Sequence, residues 1–234
     1  DSWEPEVQWT FEGEDDYTQA IITPLVINLT DDDDNGEVDL CDIPDVVAVV
    51  KSAGFGDTAP ARLYVLDGET GEPHYYTNEL VQYGANPAVG DIDNDGLPEI
   101  VSVEPGSSGR LLAFENDGTL KWTSDQPWMR AQSSAIALAD LDADGDVEII
   151  AGAYVYDHEG TLLWNTPASS IYTASVAADI DDDDELEVLT GPGAYEPDGT
   201  EIWLDNDILS QAGGIGAHPQ VADVDDDGLP EIVI

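Results

Sequence analysis

Basic residues are scarce in this sequence, and their scarcity excludes several classes of partner. The 234 residues include 5 Lys and Arg against 52 Asp and Glu, which gives a formal net charge of -47. A surface this negative repels phosphate backbones and anionic lipid headgroups. Nucleic acid is therefore not expected as a partner, and cations are the expected ligands.

Cysteine and long apolar runs are also lacking. The single cysteine, Cys41, excludes a disulfide within the chain. No apolar run reaches the roughly 18 residues that a helix needs to span a bilayer, so membrane insertion is not expected. The start at Asp1, without methionine or a signal-like apolar stretch, is typical of a processed or trimmed chain. Hydrophobic residues make up 41% of the sequence, which is enough for a core.

One acidic phrase recurs along the chain. It reads VGDIDNDGLPEIV from Val89, LADLDADGDVEII from Leu138, AADIDDDDELEVL from Ala177 and VADVDDDGLPEIV from Val221. The copies lie roughly 40 to 50 residues apart, a period typical of propeller blades built from four short strands. The repeat therefore predicts a propeller.

A second phrase follows the first in each unit and predicts a hairpin. It reads FENDGTLKW from Phe114, YDHEGTLLW from Tyr156 and YEPDGTEIW from Tyr195, with a looser copy, LYVLDGETGEPHYY, from Leu63. Asp-Gly and similar pairs favour tight two-residue hairpin turns. The recurrent aromatics Trp122, Trp164 and Trp203 are expected to pack between neighbouring blades rather than to form a binding stripe.

The predicted fold is all-β: one β-propeller domain over residues 1–234. Each blade has an apolar inner strand, the acidic loop, a second apolar strand such as Glu99–Val103, and the hairpin; no helix is needed. About five blades are expected, at about 23–80, 86–126, 133–166, 173–206 and 218–234. Because the last blade shows only two strands, we expect a longer natural protein with more blades. Alternatively, the Trp-bearing segment Glu6–Phe11 closes a five-bladed ring.

The acidic loops have the ligand spacing of a calcium site. Carboxylates at loop positions 1, 3, 5 and 9 and a carbonyl at position 7 supply the oxygen cage that Ca²⁺ prefers, whereas Mg²⁺ keeps more waters and transition metals favour His or Cys. The predicted ligands are Asp91, Asp93, Asp95, Leu97 (carbonyl) and Glu99; Asp140, Asp142, Asp144, Asp146 (carbonyl) and Glu148; Asp179, Asp181, Asp183, Glu185 (carbonyl) and Glu187; and Asp223, Asp225, Asp227, Leu229 (carbonyl) and Glu231. Asp184 replaces the usual position-6 glycine, so the third of these sites is expected to be weaker.

The first loop is longer and allows two registers. DDDDNGEVDLCD from Asp31 fits the twelve-residue EF-hand spacing, with apolar strands in place of the flanking helices. Its predicted ligands are Asp31, Asp33, Asn35, Glu37 (carbonyl), Asp39 and Asp42. The alternative register starts at Asn28 and contains an insertion. Five loops predict about five bound calcium ions.

A simple acidic surface, as in a salt-adapted protein, is the alternative interpretation of these loops. The repetition of DxDxD at a fixed distance from the same apolar strand favours ion binding. Five divalent ions would still leave a net charge of about -37, so salt adaptation or further loosely bound calcium is expected as well. Calcium sites of extracellular modules have dissociation constants of about 10⁻⁴ to 10⁻³ M and would be empty in cytosol. The protein is therefore expected outside the cell.

These loops resemble the calcium-binding repeats of integrin alpha-chain propellers, the FG-GAP or VCBS type common in bacterial surface and secreted proteins. The resemblance covers about Thr23 to Ile234 and rests on four copies of one loop. It implies a propeller that often has seven blades, with calcium in loops on one face. It also implies cell adhesion or another interaction outside the cell.

No enzyme is expected. His74, His158 and His218 stand alone, and HExxH, GxSxG and a phosphate-cradling glycine loop are absent from the sequence. Two alternatives remain open: a calcium-dependent enzyme similar to polysaccharide lyases, and a subunit of an extracellular filament or surface assembly. Quinone-dependent dehydrogenases share a Trp-ended repeat, but five basic residues suit an anionic cofactor poorly. The expected partner is another protein, a second copy of this chain or an extracellular glycan.

Overall fold

The chain is built almost entirely of short antiparallel strands. The computed structural model describes residues 4, 6–53, 59, 61–129, 131, 133–166, 174–183, 185–211, 218–225 and 228–233. In these ranges there are nineteen strands and one helix, and the strands form five separate sheets. None of the described helices combines the length and apolar character that a bilayer crossing requires.

Three of the sheets have the same four-stranded order, with each strand beside the next one in sequence. Sheet 2 contains β6 (Ala88–Gly90), β7 (Glu99–Val103), β8 (Ser108–Phe114) and β9 (Leu120–Met129). Sheet 3 contains β10 (Ile136–Ala139), β11 (Glu148–Ala151), β12 (Tyr154–Tyr156) and β13 (Leu162–Asn165). Sheet 4 contains β14 (Val176–Ala178), β15 (Glu187–Thr190), β16 (Gly193–Tyr195) and β17 (Glu201–Leu204). The predicted strand Glu99–Val103 is confirmed.

The first and last sheets vary this pattern. Sheet 1 contains β2 (Leu25–Ile27), β3 (Asp45–Ser52), β4 (Ala61–Leu66) and β5 (Pro73–Tyr76), and β1 (Tyr17–Ala20) also pairs with the long strand β3. Sheet 5 has two described strands, β18 (Gln220–Ala222) and β19 (Glu231–Val233). An all-β architecture of repeated four-stranded sheets is therefore present. Closure into a ring and the total blade number stay predictions.

The expectation that no helix is needed was wrong in one place. Helix α1 (Asn206–Gln211) follows β17. Asp205 caps it, because its Oδ1 accepts hydrogen bonds from the N–H groups of Asp207 at 2.8 Å and Ile208 at 3.0 Å. A carboxylate that satisfies free N–H groups at a helix start is a common nucleating signal.

Neighbouring sheets pack face to face and share their cores. Ile100 and Phe114 of sheet 2 pack with Val49 and Leu63 of sheet 1 in one buried cluster. Equivalent clusters join sheet 2 to sheet 3 and sheet 3 to sheet 4. The second strands β7, β11 and β15 are buried along their whole length, and after an initial glutamate they are apolar except for the buried Ser102 and Thr190. The first strands β2, β6, β10 and β14 contact one another in sequence order.

Tryptophans on the outer strands of sheets 2 and 3 join each of these sheets to the hairpin turn of the next sheet. Trp122 donates from Nε1 to the His158 carbonyl at 2.8 Å, and Trp164 donates likewise to the Pro197 carbonyl at 2.7 Å. A Cβ atom at Gly160, where φ is 81°, would lie 2.7 Å from the Trp122 ring. The predicted packing between neighbouring units is confirmed for these two tryptophans, and the turn glycine leaves room for the ring.

The N-terminal segment makes the same kind of contact. Trp9, in the segment Glu6–Phe11, donates from Nε1 to the Gly68 carbonyl at 2.9 Å, and its ring lies against the turn glycine Gly71. This segment therefore packs on sheet 1 as β9 packs on sheet 3. The predicted similarity to the Trp-bearing outer strands holds for this contact.

Candidate metal centres

The acidic loops join the first strand of a sheet to the second and lie together at one end of the sheets. In each sheet, one pair of facing residues is the last before the two strands separate into the loop. These pairs are Gly90–Glu99, Ala139–Glu148 and Ala178–Glu187. Backbone hydrogen bonds connect neighbouring loops: the N–H of Val147 donates to the Ile92 carbonyl at 3.0 Å, and the N–H of Leu186 donates to the Leu141 carbonyl at 3.2 Å. The strand order thus places successive loops side by side.

A buried glutamate begins the second strand of each sheet from 2 to 4. Glu99 and Glu187 are fully buried and Glu148 is nearly so. One oxygen of each accepts a hydrogen bond from the N–H at loop position 2, with N···O distances of 3.0 Å for Glu99, 2.8 Å for Glu148 and 2.7 Å for Glu187. The strand ladder and this bond fix the carboxylate beneath the loop.

The aspartate at position 1 shapes the loop through its own backbone. Asp91 accepts from the N–H of Asp95 at 3.1 Å and from the N–H of Gly96 at 2.9 Å, and Asp140 accepts from the equivalent groups at 3.1 Å. Gly96 has a φ of 95°, which few other residues tolerate. The expected glycine-dependent reversal is therefore present.

Position 4 also adopts a left-handed backbone conformation, which the sequence reasoning missed. The φ angles are 58° at Asp34, 57° at Asn94, 58° at Ala143 and 66° at Asp182. Asp and Asn tolerate this region better than other side chains, and their recurrence at position 4 was the signal that could have revealed it. Ala143 lacks this advantage.

Three carboxylates converge in each of these loops. Atoms of Asp91, Asp93 and Glu99 lie within 4.8 Å of one another, as do those of Asp140, Asp142 and Glu148 and those of Asp179, Asp181 and Glu187. The predicted ligand positions 1, 3 and 9 are thus brought together. At position 5, Asp95, Asp144 and Asp183 each use one oxygen to accept the N–H of position 7, at 2.9 to 3.0 Å.

Burial makes the negative charge of these clusters costly. It raises the pKa of Glu148, and the neighbouring loop aspartates add to the rise; burial likewise raises the pKa of Glu187. The second oxygen of Glu187, Oε1, is buried without a hydrogen-bond partner among the described residues. Buried polar atoms are normally satisfied, so this oxygen indicates a ligand. Asp184, the predicted weak point of the same loop, lies outside the described residues.

Three of the ligands predicted for loop 31–42 lie close together. Atoms of Asp31, Asp33 and Asp42 lie within 4.8 Å of one another. Asp31 accepts from the N–H groups of Asn35 at 3.1 Å and Gly36 at 2.8 Å, as Asp91 does in its loop. Asp42 is buried, and the N–H groups of Asp39 and Asp32 hold its pKa below the ordinary value.

Two other predicted ligands of this loop make local hydrogen bonds. Asp39 lies outside the cluster: its Oδ1 accepts from the N–H of Cys41 at 2.6 Å. The side chain of Asn35 accepts from the N–H of Glu37 at 2.7 Å, as position 5 does in the other loops. The Glu37 carbonyl stays a predicted ligand.

Asp45 was missed, although it holds the place that glutamate holds in the other sheets. It pairs with Ile27 at the strand end and is fully buried. Its Oδ2 accepts from the N–H groups of Leu29 at 2.8 Å and Thr30 at 3.0 Å, and its Oδ1 lies 3.0 Å from His74 Nε2. The register that starts at Asn28 therefore describes how the loop leaves and re-enters the sheet. The acidic cluster that could hold a metal ion lies in the insertion. The signal was Pro44–Asp45, which matches Pro98–Glu99.

The fifth loop is described in part. The N–H of Val224 donates to Glu231 Oε2 at 2.8 Å, and the N–H of Gly228 donates to Asp223 Oδ2 at 3.0 Å, as in the other loops. Asp227 lies outside the described residues. Asp225 and the Leu229 carbonyl stay predicted ligands.

The donor set suits a hard cation. The clusters in loops 31–42, 91–99, 140–148 and 179–187 consist of carboxylates alone. Oxygen ligands of this kind, with turn-forming aspartates at positions 1, 3 and 5, are those of calcium sites. The described residues could therefore hold a hard cation such as calcium, through the carboxylates at positions 1, 3 and 9 of loops 91–99, 140–148 and 179–187 and at positions 1, 3 and 12 of loop 31–42.

Comparison with known proteins agrees with this description. A family model described as "FG-GAP-like repeat" matches residues 91–151. A search among curated proteins found no match. The fold is similar to the crystal structure of the V. cholerae biofilm matrix protein Bap1, with a TM-score of 0.82 and 26% identity over 97% of this chain and 37% of that chain.

Two rhamnogalacturonan lyases share the fold at lower similarity. The exotype lyase YesX has a TM-score of 0.61 and 21% identity, over 89% of this chain and 41% of that chain. Lyase PL11 of Bacillus licheniformis has a TM-score of 0.58 and 21% identity, over 90% of this chain and 43% of that chain. The chain thus spans about two fifths of the length of the structures it matches. Together, the repeated loop geometry and the family match identify residues 91–151 as an FG-GAP-like repeat.

Proposed function

We propose that this protein is a calcium-binding structural or adhesive module that works outside the cell. The observation that carries the proposal is the convergence of one buried carboxylate with partly buried or exposed aspartates in successive loops, with Glu187 Oε1 left without a hydrogen-bond partner among the described residues. Such a cluster is unfavourable unless a cation enters it. Calcium is the cation that these oxygen ligands suit best.

The affinities typical of extracellular calcium modules support the proposed location outside the cell. Calcium loops of extracellular modules bind with dissociation constants of about 10⁻⁴ to 10⁻³ M, so they fill at extracellular concentrations and stay empty in cytosol. The similarity to a biofilm matrix protein supports the same location and a matrix or adhesion role. The proposed partner is another protein, a second copy of this chain or an extracellular glycan.

The lyase alternative rests on fold alone. The lyase neighbours are 21% identical to this chain, and their similarity extends to the arrangement of sheets. Incubation of the calcium-loaded protein with rhamnogalacturonan, followed by detection of unsaturated uronate products, separates the two functions. We expect no product; release at an enzymatic rate would favour the lyase function.

Neutralising one loop should remove one ion. Asp142→Asn keeps the shape of a predicted position-3 ligand but removes its charge, so we expect about one calcium fewer per chain by isothermal titration calorimetry, with the other sites unchanged. Asp16→Asn is the matched control, because Asp16 is exposed and lies in the turn before β1. Equal stoichiometry for Asp142→Asn and the control would contradict the assignment of this loop.

A further inference from the structure

Lys121 makes the loop of sheet 2 different from the loop of sheet 3. Its ammonium nitrogen lies 2.8 Å from Asp93 Oδ2, 3.2 Å from Glu99 Oε1 and 3.2 Å from Glu115 Oε2. The side chain is 18% exposed, so these contacts are partly shielded from solvent. A protein cation therefore contacts two of the three carboxylates that form the candidate metal centre of loop 91–99.

The strand register shows what stands at this position in the other sheets. Each hairpin has an equivalent pair of facing residues beside its turn. These pairs are Leu66–Pro73, Phe114–Leu120, Tyr156–Leu162 and Tyr195–Glu201. The next residue in each outer strand, which directly precedes the packing aromatic, is accordingly His74, Lys121, Leu163 or Ile202.

The side chains at this position fall into two groups. His74 Nε2 lies 3.0 Å from Asp45, the strand-end carboxylate of sheet 1, as Lys121 lies against Glu99. In sheet 3 the position is apolar, and Leu163 lines an open groove together with Asp142, Glu148 and Glu196. The residues described as lining that groove include no Lys, Arg or His.

We propose that the residue at this position tunes the calcium affinity of the neighbouring loop. Lys121 acts as a built-in cation that competes with calcium for Asp93 and Glu99, so loop 91–99 binds calcium more weakly than loop 140–148. Leu163 leaves Asp142 and Glu148 to the ion. The inference rests on the proposed calcium binding and adds a specificity-determining residue to it.

The competition is electrostatic and partial. A divalent ion that enters loop 91–99 must displace the ammonium group or tolerate a positive charge within a few ångströms. Lys121 does not satisfy the whole site, because Asp93 Oδ1 is buried without a hydrogen-bond partner among the described residues. Lys121 should therefore weaken binding at this loop without abolishing it.

A pair of substitutions that differ in charge tests this role. Lys121→Met removes the ammonium and keeps a long flexible side chain, whereas Lys121→Arg keeps the charge. By native mass spectrometry across a calcium titration, we expect one site of Lys121→Met to bind at least about tenfold more tightly, since a unit charge a few ångströms from a divalent ion is removed. Lys121→Arg should bind as the unsubstituted protein does. Adding Asp91→Asn should abolish the gain, which assigns it to loop 91–99.

The reverse exchange provides an independent measurement. Leu163→Lys should weaken one site at least about tenfold, because it places the same charge beside Asp142 and Glu148. Leu120→Lys is the control, since Leu120 is 40% exposed and lines a different surface, beside Glu79 and Glu104. If either new lysine prevents folding, the Lys121 pair still decides the question.

The outcomes separate this inference from the function on which it rests. An unsubstituted protein that binds no calcium would refute the proposed function. A protein that binds calcium at several sites, with identical titrations for Lys121→Met and Lys121→Arg, would refute the competition by Lys121 and leave the proposed function standing.

Discussion

Removal of calcium is expected to lower the melting temperature of this protein by more than about 10 °C. Loops 31–42, 91–99, 140–148 and 179–187 each gather carboxylates within 4.8 Å of one another, and a like-charged pair at about 4 Å costs about 4 kcal/mol at an effective dielectric of 20. The ion offsets this repulsion only in the folded state, since the loop geometry depends on the sheet ladder. Calcium binding is therefore expected to stabilise the folded chain by mass action.

The size of the effect follows from the number of loops. At a calcium concentration about tenfold above the dissociation constant, each site adds about 1.4 kcal/mol to the free energy of unfolding, so five loops add about 7 kcal/mol. For a chain of this length, 1 kcal/mol corresponds to about 2–4 °C in melting temperature.

Ionic strength must be matched in this experiment, because a net charge of -47 is itself sensitive to screening. Thermal unfolding is followed in calcium and in excess chelator, with sodium chloride added to equal ionic strength. An unchanged melting temperature would contradict the calcium-coupled account. Full recovery by high sodium chloride alone would favour the salt-adapted alternative.

The raised pKa values of the buried glutamates predict how the stability of the calcium-free protein depends on pH. Burial raises the pKa of Glu99, Glu148 and Glu187 above the ordinary value of 4.5, so the ion-free folded state holds protons that the unfolded state has lost. Stability in chelator should therefore fall as pH rises through these raised pKa values and recover on acidification. Calcium should reduce this dependence, because the ion replaces the protons.

Asp45→Ala is expected to destabilise the protein by about 3–5 kcal/mol, more than the loss of any one calcium ligand. Asp45 is fully buried and accepts hydrogen bonds from Leu29 N and Thr30 N, and His74 lies 3.0 Å from its other oxygen. Its removal leaves the buried N–H of Leu29 and the partly buried N–H of Thr30 without this acceptor, and an unsatisfied buried donor costs about 1–3 kcal/mol.

The role of Asp45 differs from that of a metal ligand in its response to calcium. Because its partners are protein groups, the loss of stability should be present both in calcium and in chelator. Urea unfolding measures it in both conditions, with Asp16→Ala, at an exposed position, as the control. Asp45→Asn keeps one acceptor oxygen and should lose less. A loss for Asp45→Ala that is seen only with calcium would reassign this carboxylate to a metal site.

Most of the fold could be predicted from local signals in the repeated sequence. A loop of alternating aspartates between two apolar strands, followed by an Asp-Gly hairpin and a tryptophan, predicts the order and limits of strands such as β7, because each signal acts within a few residues. The convergence of the carboxylates at loop positions 1, 3 and 9 could be predicted for the same reason. The tryptophan packing also followed from its regular recurrence.

What was missed depends on contacts between distant strands or on departures from the repeat. Lys121 reaches Glu99 across the sheet, and the residues at its position in the four sheets, His74, Lys121, Leu163 and Ile202, form no recurrent sequence pattern. Asp45 was missed because the insertion moves the acidic spacing typical of a metal site away from the strand end. Its partner His74 belongs to no sequence motif. Helix α1 depends on one capping aspartate after a strand, a signal too short to stand out.

Native mass spectrometry of the full chain gives the most direct test of calcium binding in the acidic loops. The chain is exchanged into a volatile buffer with millimolar calcium, and the bound ions are counted against the same protein treated with chelator. The account predicts about five calcium ions in well-resolved steps, with magnesium at equal concentration displaced by calcium. A chain that carries no calcium under these conditions, or one that binds both ions as an unresolved distribution typical of a diffuse acidic surface, would contradict it.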